Sequence, residues 1–504
     1  MKTTFKFIAT AIAFAVSFSP IALAEETALA PVGVDKPRND AYLLKFQDSA
    51  VTANTSGYQN EASIQNSSRT LSKRYMAVLP NCGIDYTFGC IETIEVKNLS
   101  DSQWEMLTPG EKFWNHSIAA FSPKPDGTRD EYQWSTWNGD SKIGLPPSGK
   151  VQVFNSIKNA HGGGASYVVK SIISGNDVFE GRFSINQFNL SVIPVKILRY
   201  DASVVGSREI FSVENYRFPK NIEFRITIRL GELYSQLNGW FFGRVDNAEI
   251  NLDSKSQTLI VRGAPSVTPV QTGYMPYPVP ERFKDYFLST PNSFNGNLSS
   301  YVFSPTTSDA VNNWLKYREY LNPDASYESE VWQIDAAPKS FSETDRGFEA
   351  CTFNTPGVTG LLTTNATAYV PKPPTWNAKE SSLSYQVAGP ELLSDGKKNL
   401  GNYLLALRTD VASCLWKSDL KNAKATVEVT NGDGSTGAQL ATTTMSQRNG
   451  WLYFSASGFH FSAPTIKVKL NPEKIIKITC LKGKTKKIVT GTSPTCPKGF
   501  KKKS

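Results

Sequence analysis

The most regular feature of the chain is an alternation of apolar and polar side chains with period two. In FRITIRL (224–230), Phe224, Ile226, Ile228 and Leu230 fall on one side and Arg225, Thr227 and Arg229 on the other. SLSYQV puts Leu383, Tyr385 and Val387 together. ATVEV sets Ala425, Val427 and Val429 against Thr426 and Glu428, and TIKVKL sets Ile466, Val468 and Leu470 against Lys467 and Lys469. Successive side chains of a strand point to opposite faces, so each run predicts a half-buried strand. Turn dipeptides recur between such runs, among them Asn138-Gly139, Asn431-Gly432 and Asp433-Gly434. Many short strands without interleaved helices predict an all-β fold.

Helical spacing is confined to SDAVNNWLKYREYL (308–321). Val311, Trp314, Leu315, Arg318 and Leu321 share a face, Ser308 is the expected N-cap, and Asn322-Pro323 ends the run. The preceding VTPVQTGYMPYPVPERF (267–283) holds four prolines and reads as an extended linker or surface strap. SQLNGWFF (235–242) echoes SQRNGWLY (446–453); Asn-Gly favours a tight hairpin turn with the Trp opening the return strand. The echo suggests two related units. The expected organisation is a signal peptide over 1–24 and a polar, loosely structured leader over 25–75. Two antiparallel β-sandwich-like domains follow, over 76–265 and 346–471. A Pro-rich, partly helical connection (266–345) joins them, and a basic tail (472–504) ends the chain.

Charge sharpens this picture at the C-terminus. The chain carries +9 at pH 7. The tail alone holds ten Lys and one Glu, so residues 1–471 are neutral. A neutral body without a basic, aromatic-interleaved face argues against nucleic acid. At the other end, Lys2 and Lys6 precede an apolar run from Phe7 to Phe18, and Ala22-Leu23-Ala24 fits a signal-peptidase site. That run is shorter than a membrane span, and no other segment approaches one, so an exported chain without a transmembrane segment is expected. Six cysteines in an exported chain suggest disulfides. Neighbours in sequence would pair Cys82–Cys90, Cys351–Cys414 and Cys480–Cys496, although six cysteines leave fifteen connectivities open.

No motif names a reaction or a cofactor. His161-Gly162-Gly163-Gly164 is reminiscent of an esterase oxyanion loop, but there is no G-x-S-x-G partner. His116, His161 and His460 are too scattered for a zinc site, and His460 between aromatics reads as a core or rim histidine. Asp126, Asp130 and Glu131 lie in a turn-like stretch with nothing to mark an acid–base pair. Trp104, Trp114, Trp134, Trp137 and Trp376 are candidates for stacking on sugar rings, with core packing the commoner fate.

Several blocks carry a resemblance. GNYLLALRTDVASCLW (401–416), ATVEVT, RNGWLYFSASGFHFSAPTIKVKL (448–470) and the final ITC…PTCPKGFKKK look like a recurring C-terminal cassette. NCGIDYTFGCIETIEV (81–96) and FRITIRL…NGWFFGRV (224–245) look similar to upstream parts of the same proteins. These resemble a family of exported, β-rich actinobacterial proteins with a Cys/Lys-rich C-terminal cassette. The resemblance covers about a third of the chain. It implies export and a surface role and carries over no catalytic or binding residues. In the tail, a Cys480–Cys496 bridge would close a loop worth about 3 kcal/mol. It would gather Lys482, Lys484, Lys486 and Lys487, with Lys501, Lys502 and Lys503 as a flexible cationic end. The expected partners are anionic envelope polymers or a membrane surface. The leading expectation is a non-enzymatic surface protein; a carbohydrate- or polymer-binding protein and a carboxylate-dependent hydrolase are the alternatives.

Overall fold

The computed structural model describes residues 41–46, 63–66, 73–112, 138–149, 151–178, 182–200, 210–237, 239–283, 300–303, 308–337, 350–352, 355, 357–418, 420, 424–430, 441–461, 463–471, 476–483, 485–491 and 494–502. The expected signal peptide lies outside them, as does most of the leader. The protein is all-β, as the alternation predicts. The four alternating runs form the strands Ile222–Arg229, Ser382–Ala388, Lys424–Thr430 and Thr465–Asn471. Phe224, Ile226, Ile228, Leu383, Tyr385, Val387, Ile466, Val468 and Leu470 are buried as expected.

The largest sheet curls around one core and then passes through the molecule. Ile222–Arg229 lies antiparallel between Cys90–Asn98 and Thr258–Pro276. Gly239–Asp253 pairs with Thr258–Pro276 through its second half. Its first half pairs antiparallel with Tyr327–Ala337 and parallel with Val358–Thr364. From there the ladder runs on through Leu400–Arg408 and Trp451–His460 to the edge strand Thr442–Arg448. Strand pairing therefore runs continuously from the first expected β-domain into the second.

This middle portion of the sheet is buried on both sides. Phe241, Leu361, Ala406, Trp451 and Tyr453 join Ile94, Phe224 and Trp332 in one core. Trp240, Phe242, Leu362, Leu405, Leu407, Leu452 and Phe454 join Tyr385, Ile466 and Val468 in another. The second core is closed by a five-stranded sheet that includes Ser382–Ala388, Lys424–Thr430 and Thr465–Asn471. Burial on both faces explains why VTGLLTT (358–364) and GWFFG (239–243) do not alternate.

The echoed motifs end in different structures. Asn449 (φ 50°) and Gly450 (φ 77°) make the expected two-residue turn between Thr442–Arg448 and Trp451–His460. The first copy makes no such hairpin: a 3-10 turn at Gly231–Ser235 precedes it, and its strand pairs elsewhere in the sheet. The two tryptophans lie in opposite cores.

Two expected irregular regions hold strands. Within the leader, Ala41–Phe46 is a buried strand, antiparallel to Gln271–Pro276 and parallel to Ser300–Phe303. Six residues of AYLLKF suffice because Tyr42, Leu44 and Phe46 have a third core to enter, with Met275, Phe303 and Trp314. The proline-rich run 267–283, expected as a linker, begins inside the strand Thr258–Pro276 and continues into a 3-10 turn, Glu281–Phe283. Pro265 and Pro269 fall where that strand has a partner on one side only, so their missing N–H breaks no ladder. The expected helix forms over Ala310–Tyr317 with a 3-10 extension to Tyr320. Its N-cap residue is Asp309 rather than Ser308, with no capping side-chain bond. Trp314 Nε1 donates to Gln271 Oε1 at 2.7 Å. A second helix, Thr409–Trp416, carried no sequence signal.

Candidate functional site

The tail folds on a small scale of its own. Ile476–Lys482 and Thr485–Gly491 form a hairpin, and Lys501–Lys502 pairs on the other side of the first strand. Gly483 turns the hairpin at φ 58°, where a side chain would be strained. This three-stranded sheet shares no strand pairing with the rest of the described chain. Cys480 bonds to Cys496, while Cys82 bonds to Cys90 and Cys351 to Cys414, so the structure joins the sequence neighbours.

The register distributes the lysines. Lys487 and Lys502 stand opposite Cys480 on either side, on the face where Ile478 and Cys480 are buried. Lys486 and Lys501 stand opposite Leu481, on the other face. Lys482 runs over Gly499. Lys482, Lys486, Lys487, Lys501 and Lys502 are all exposed, and no ion pair joins any of them to a described carboxylate. Lys501 and Lys502, expected as a flexible end, are instead held in register with Cys480 and Leu481. Lys484 and Lys503 lie outside the described residues. Between Ile476 and Lys502 the sequence has eight Lys and no Asp or Glu. Like charges so gathered are tolerated because the ammonium groups of Lys482, Lys486, Lys487, Lys501 and Lys502 remain in water, and they raise the local positive potential.

Of the other sequence candidates, Trp104 and Trp376 are occupied by packing. Trp104 lies under three cations, with Arg225, Arg262 and Lys97 centred 4.4, 5.2 and 5.3 Å from its ring. These belong to an ion-pair ladder on the outer face of the sheet, in which Arg262 bonds Glu223 at 2.9 Å and Lys97 lies 3.3 Å from the same carboxylate. Trp376 meets Trp416 edge-on at 5.1 Å. Trp114, Trp134, Trp137, His116, Asp126, Asp130 and Glu131 lie outside the described residues. His460 is exposed at the end of its strand rather than buried among its aromatic neighbours.

The HGGG turn is closed on itself. His161 N–H donates to Gly164 O at 2.7 Å, Gly164 N–H returns to His161 O at 3.0 Å, and Gly163 N–H donates to His161 Nδ1 at 3.1 Å. Since Nδ1 accepts, Nε2 carries the proton and donates to Ser166 O at 2.8 Å. Burial against Tyr167 and Tyr216 lowers the His161 pKa and favours the neutral ring. The turn's N–H groups at 161, 163 and 164 are thus spent on local bonds, which fits a structural turn better than an oxyanion hole.

Two features had no sequence signal. Asp246 sits at a bulge in Gly239–Asp253, with Asn247 at φ 52°. Burial pushes its carboxyl up to about 6, opposed by the polar side chains of Ser266 and Asn402 nearby and by the charge of Arg244. Second, a groove of about 250 Å³ opens where the helix Ala310–Tyr317 meets the polar face of Ser382–Ala388. Asn312, Lys372, Thr375, Ser384, Gln386 and Thr465 line it. Neither was legible, because each draws its residues from segments far apart in sequence. No group of three His, Cys, Asp or Glu residues is arranged to hold a metal among the described residues. No helix of the described chain is long and apolar enough to cross a membrane. The sequence matches no protein-family model and no curated protein.

Proposed function

We propose that this is an exported, surface-retained β-protein that is held at an anionic surface by its C-terminal sheet. The observation that carries the reading is the density of lysines on a disulfide-tied fold, with no described carboxylate paired to them. A solubilising tail needs neither the bridge nor the fixed register. Attraction of this kind is salt-sensitive, since the screening length is about 8 Å at physiological ionic strength. Three disulfides accord with an oxidising compartment.

The test compares the full chain with one ending at residue 471, each expressed in a bacterium with a comparable envelope. The expected result is a cell-bound full-length protein that high salt releases, and a truncated protein that stays in the medium. Equal partitioning of the two forms would sink the proposal.

The groove beside Ala310–Tyr317 favours a second reading, binding of a small hydroxylated ligand. Its hydroxyl and amide lining, with Lys372 at the rim, suits a sugar acid. Titration with glucuronate by calorimetry tests it, and loss of the heat signal in Lys372→Met is the expected outcome.

A further inference from the structure

The two faces of the C-terminal sheet are unequal. Ile478 and Cys480 point to the closed face and are buried. Alternation puts Thr479, Leu481, Lys486, Ile488 and Lys501 on the open face. Leu481 occupies the middle strand, with Lys486 across from it on one side and Lys501 on the other. Ile488 stands opposite Thr479, diagonal to Leu481, and is 54% exposed. Neighbouring strands lie about 4.8 Å apart, so the two lysine stems rise roughly 10 Å apart astride Leu481, with Ile488 beside Lys486 on the same strand.

A single exposed isoleucine is ordinary on a protein surface. A leucine flanked by two lysines that pair with no described carboxylate, with an exposed isoleucine alongside and no acidic residue in the segment, has a narrower use. A hydrated polyanion needs only the lysines and gains nothing from Ile488. A bilayer uses both, because apolar side chains enter the headgroup–acyl boundary while lysine stems carry their charges back to the phosphates. Two sources of attraction are also what stable membrane attachment without a spanning segment requires.

We infer that the open face of this sheet docks on a lipid bilayer bearing anionic phosphate headgroups. The inference rests on the electrostatic retention proposed above and names the surface responsible. Leu481 and Ile488 form its shallow insertion, and Lys486 and Lys501 its phosphate contacts.

The experiment measures sedimentation of the full chain with vesicles of mixed phosphatidylcholine and phosphatidylglycerol, with pure phosphatidylcholine vesicles, and retention on immobilised polyphosphate. Binding to the mixed vesicles alone, weakening with salt, is expected. Lys486→Gln and Lys501→Gln are each expected to lower vesicle partitioning by about fivefold. Ile488→Ser, at an exposed position that the fold tolerates, is expected to lower it several-fold while leaving polyphosphate retention unchanged. Vesicle partitioning unaffected by Ile488→Ser overturns the inference. So does retention on polyphosphate without vesicle binding, an outcome that leaves the electrostatic reading intact and makes a soluble polymer the partner. Binding to neither removes both.

Discussion

Asp246 and His161 titrate against each other in their effect on stability. Burial raises the Asp246 pKa to about 6, so the folded chain holds this proton more tightly than the unfolded one does. Its contribution is complete below the ordinary aspartate range, near 4, and is lost as pH rises through about 6. Burial lowers the His161 pKa, so the unfolded chain takes up that proton first, near pH 6.5. Its contribution is present above that pH and is lost as pH falls. The two slopes oppose one another between about pH 4 and 6.5, and single variants separate them. Urea denaturation across this range is expected to show a flatter decline with rising pH in Asp246→Asn, whose amide has the same shape and does not titrate. In His161→Asn the loss below pH 6.5 is expected to shrink. An unchanged pH profile in either variant would contradict the assignment. Neither residue was legible as buried: Asp246 sits in VDNAEI, which looks like an exposed turn, and a bulge is what turns it inward.

Strands were legible where one of their faces meets water, and opaque where neither does. FRITIRL and TIKVKL advertise themselves because Arg and Lys line the outer face. VTGLLTT and GWFFG have no outer face, so periodicity fails there. Their contact is close: a Cβ on Gly360 would come within 2.4–2.5 Å of the Trp240 ring. Gly360→Ala is expected to cost about 1–3 kcal/mol by overpacking, read as a lowered thermal midpoint. A midpoint equal to the parent would mean that Trp240 does not lie over this glycine. The helix Thr409–Trp416 was missed because eight residues give two turns and no capping side chain. Its position is secured covalently, by the Cys351–Cys414 bridge. That bridge spans 63 residues and is worth about 4 kcal/mol in the chain-entropy model. Replacing both cysteines by serine is expected to lower stability by a comparable amount, measured by denaturant titration.

At the level of the molecule, the C-terminal sheet shares no strand pairing with the rest of the described residues, whereas the two expected β-domains are joined by one. Ending the chain at residue 471 is therefore expected to leave the thermal midpoint of the body unchanged. The body itself is expected to melt in one calorimetric transition, because Val358–Thr364 contributes to both main cores. Two well-separated transitions would show that the shared sheet does not couple them. Composition alone revealed the basic tail, since lysine content is independent of geometry. It did not reveal the open face, which depends on a register set by Gly483 and on the return of Lys501–Lys502 to the first strand.

The parallel pairing of Gly239–Asp253 with Val358–Thr364 also imposes a schedule. The first of these strands is synthesised long before its neighbour, and three described strands and the helix Ala310–Tyr317 are made in between. Contacts so distant along the chain are slow to form and reward the chain only once both ends are present. This pairing therefore cannot form until the chain has been made through Val358–Thr364. If the chain, exported as proposed above, crosses unfolded, such a delay leaves the sheet open during passage, and it closes where the cysteines can also oxidise.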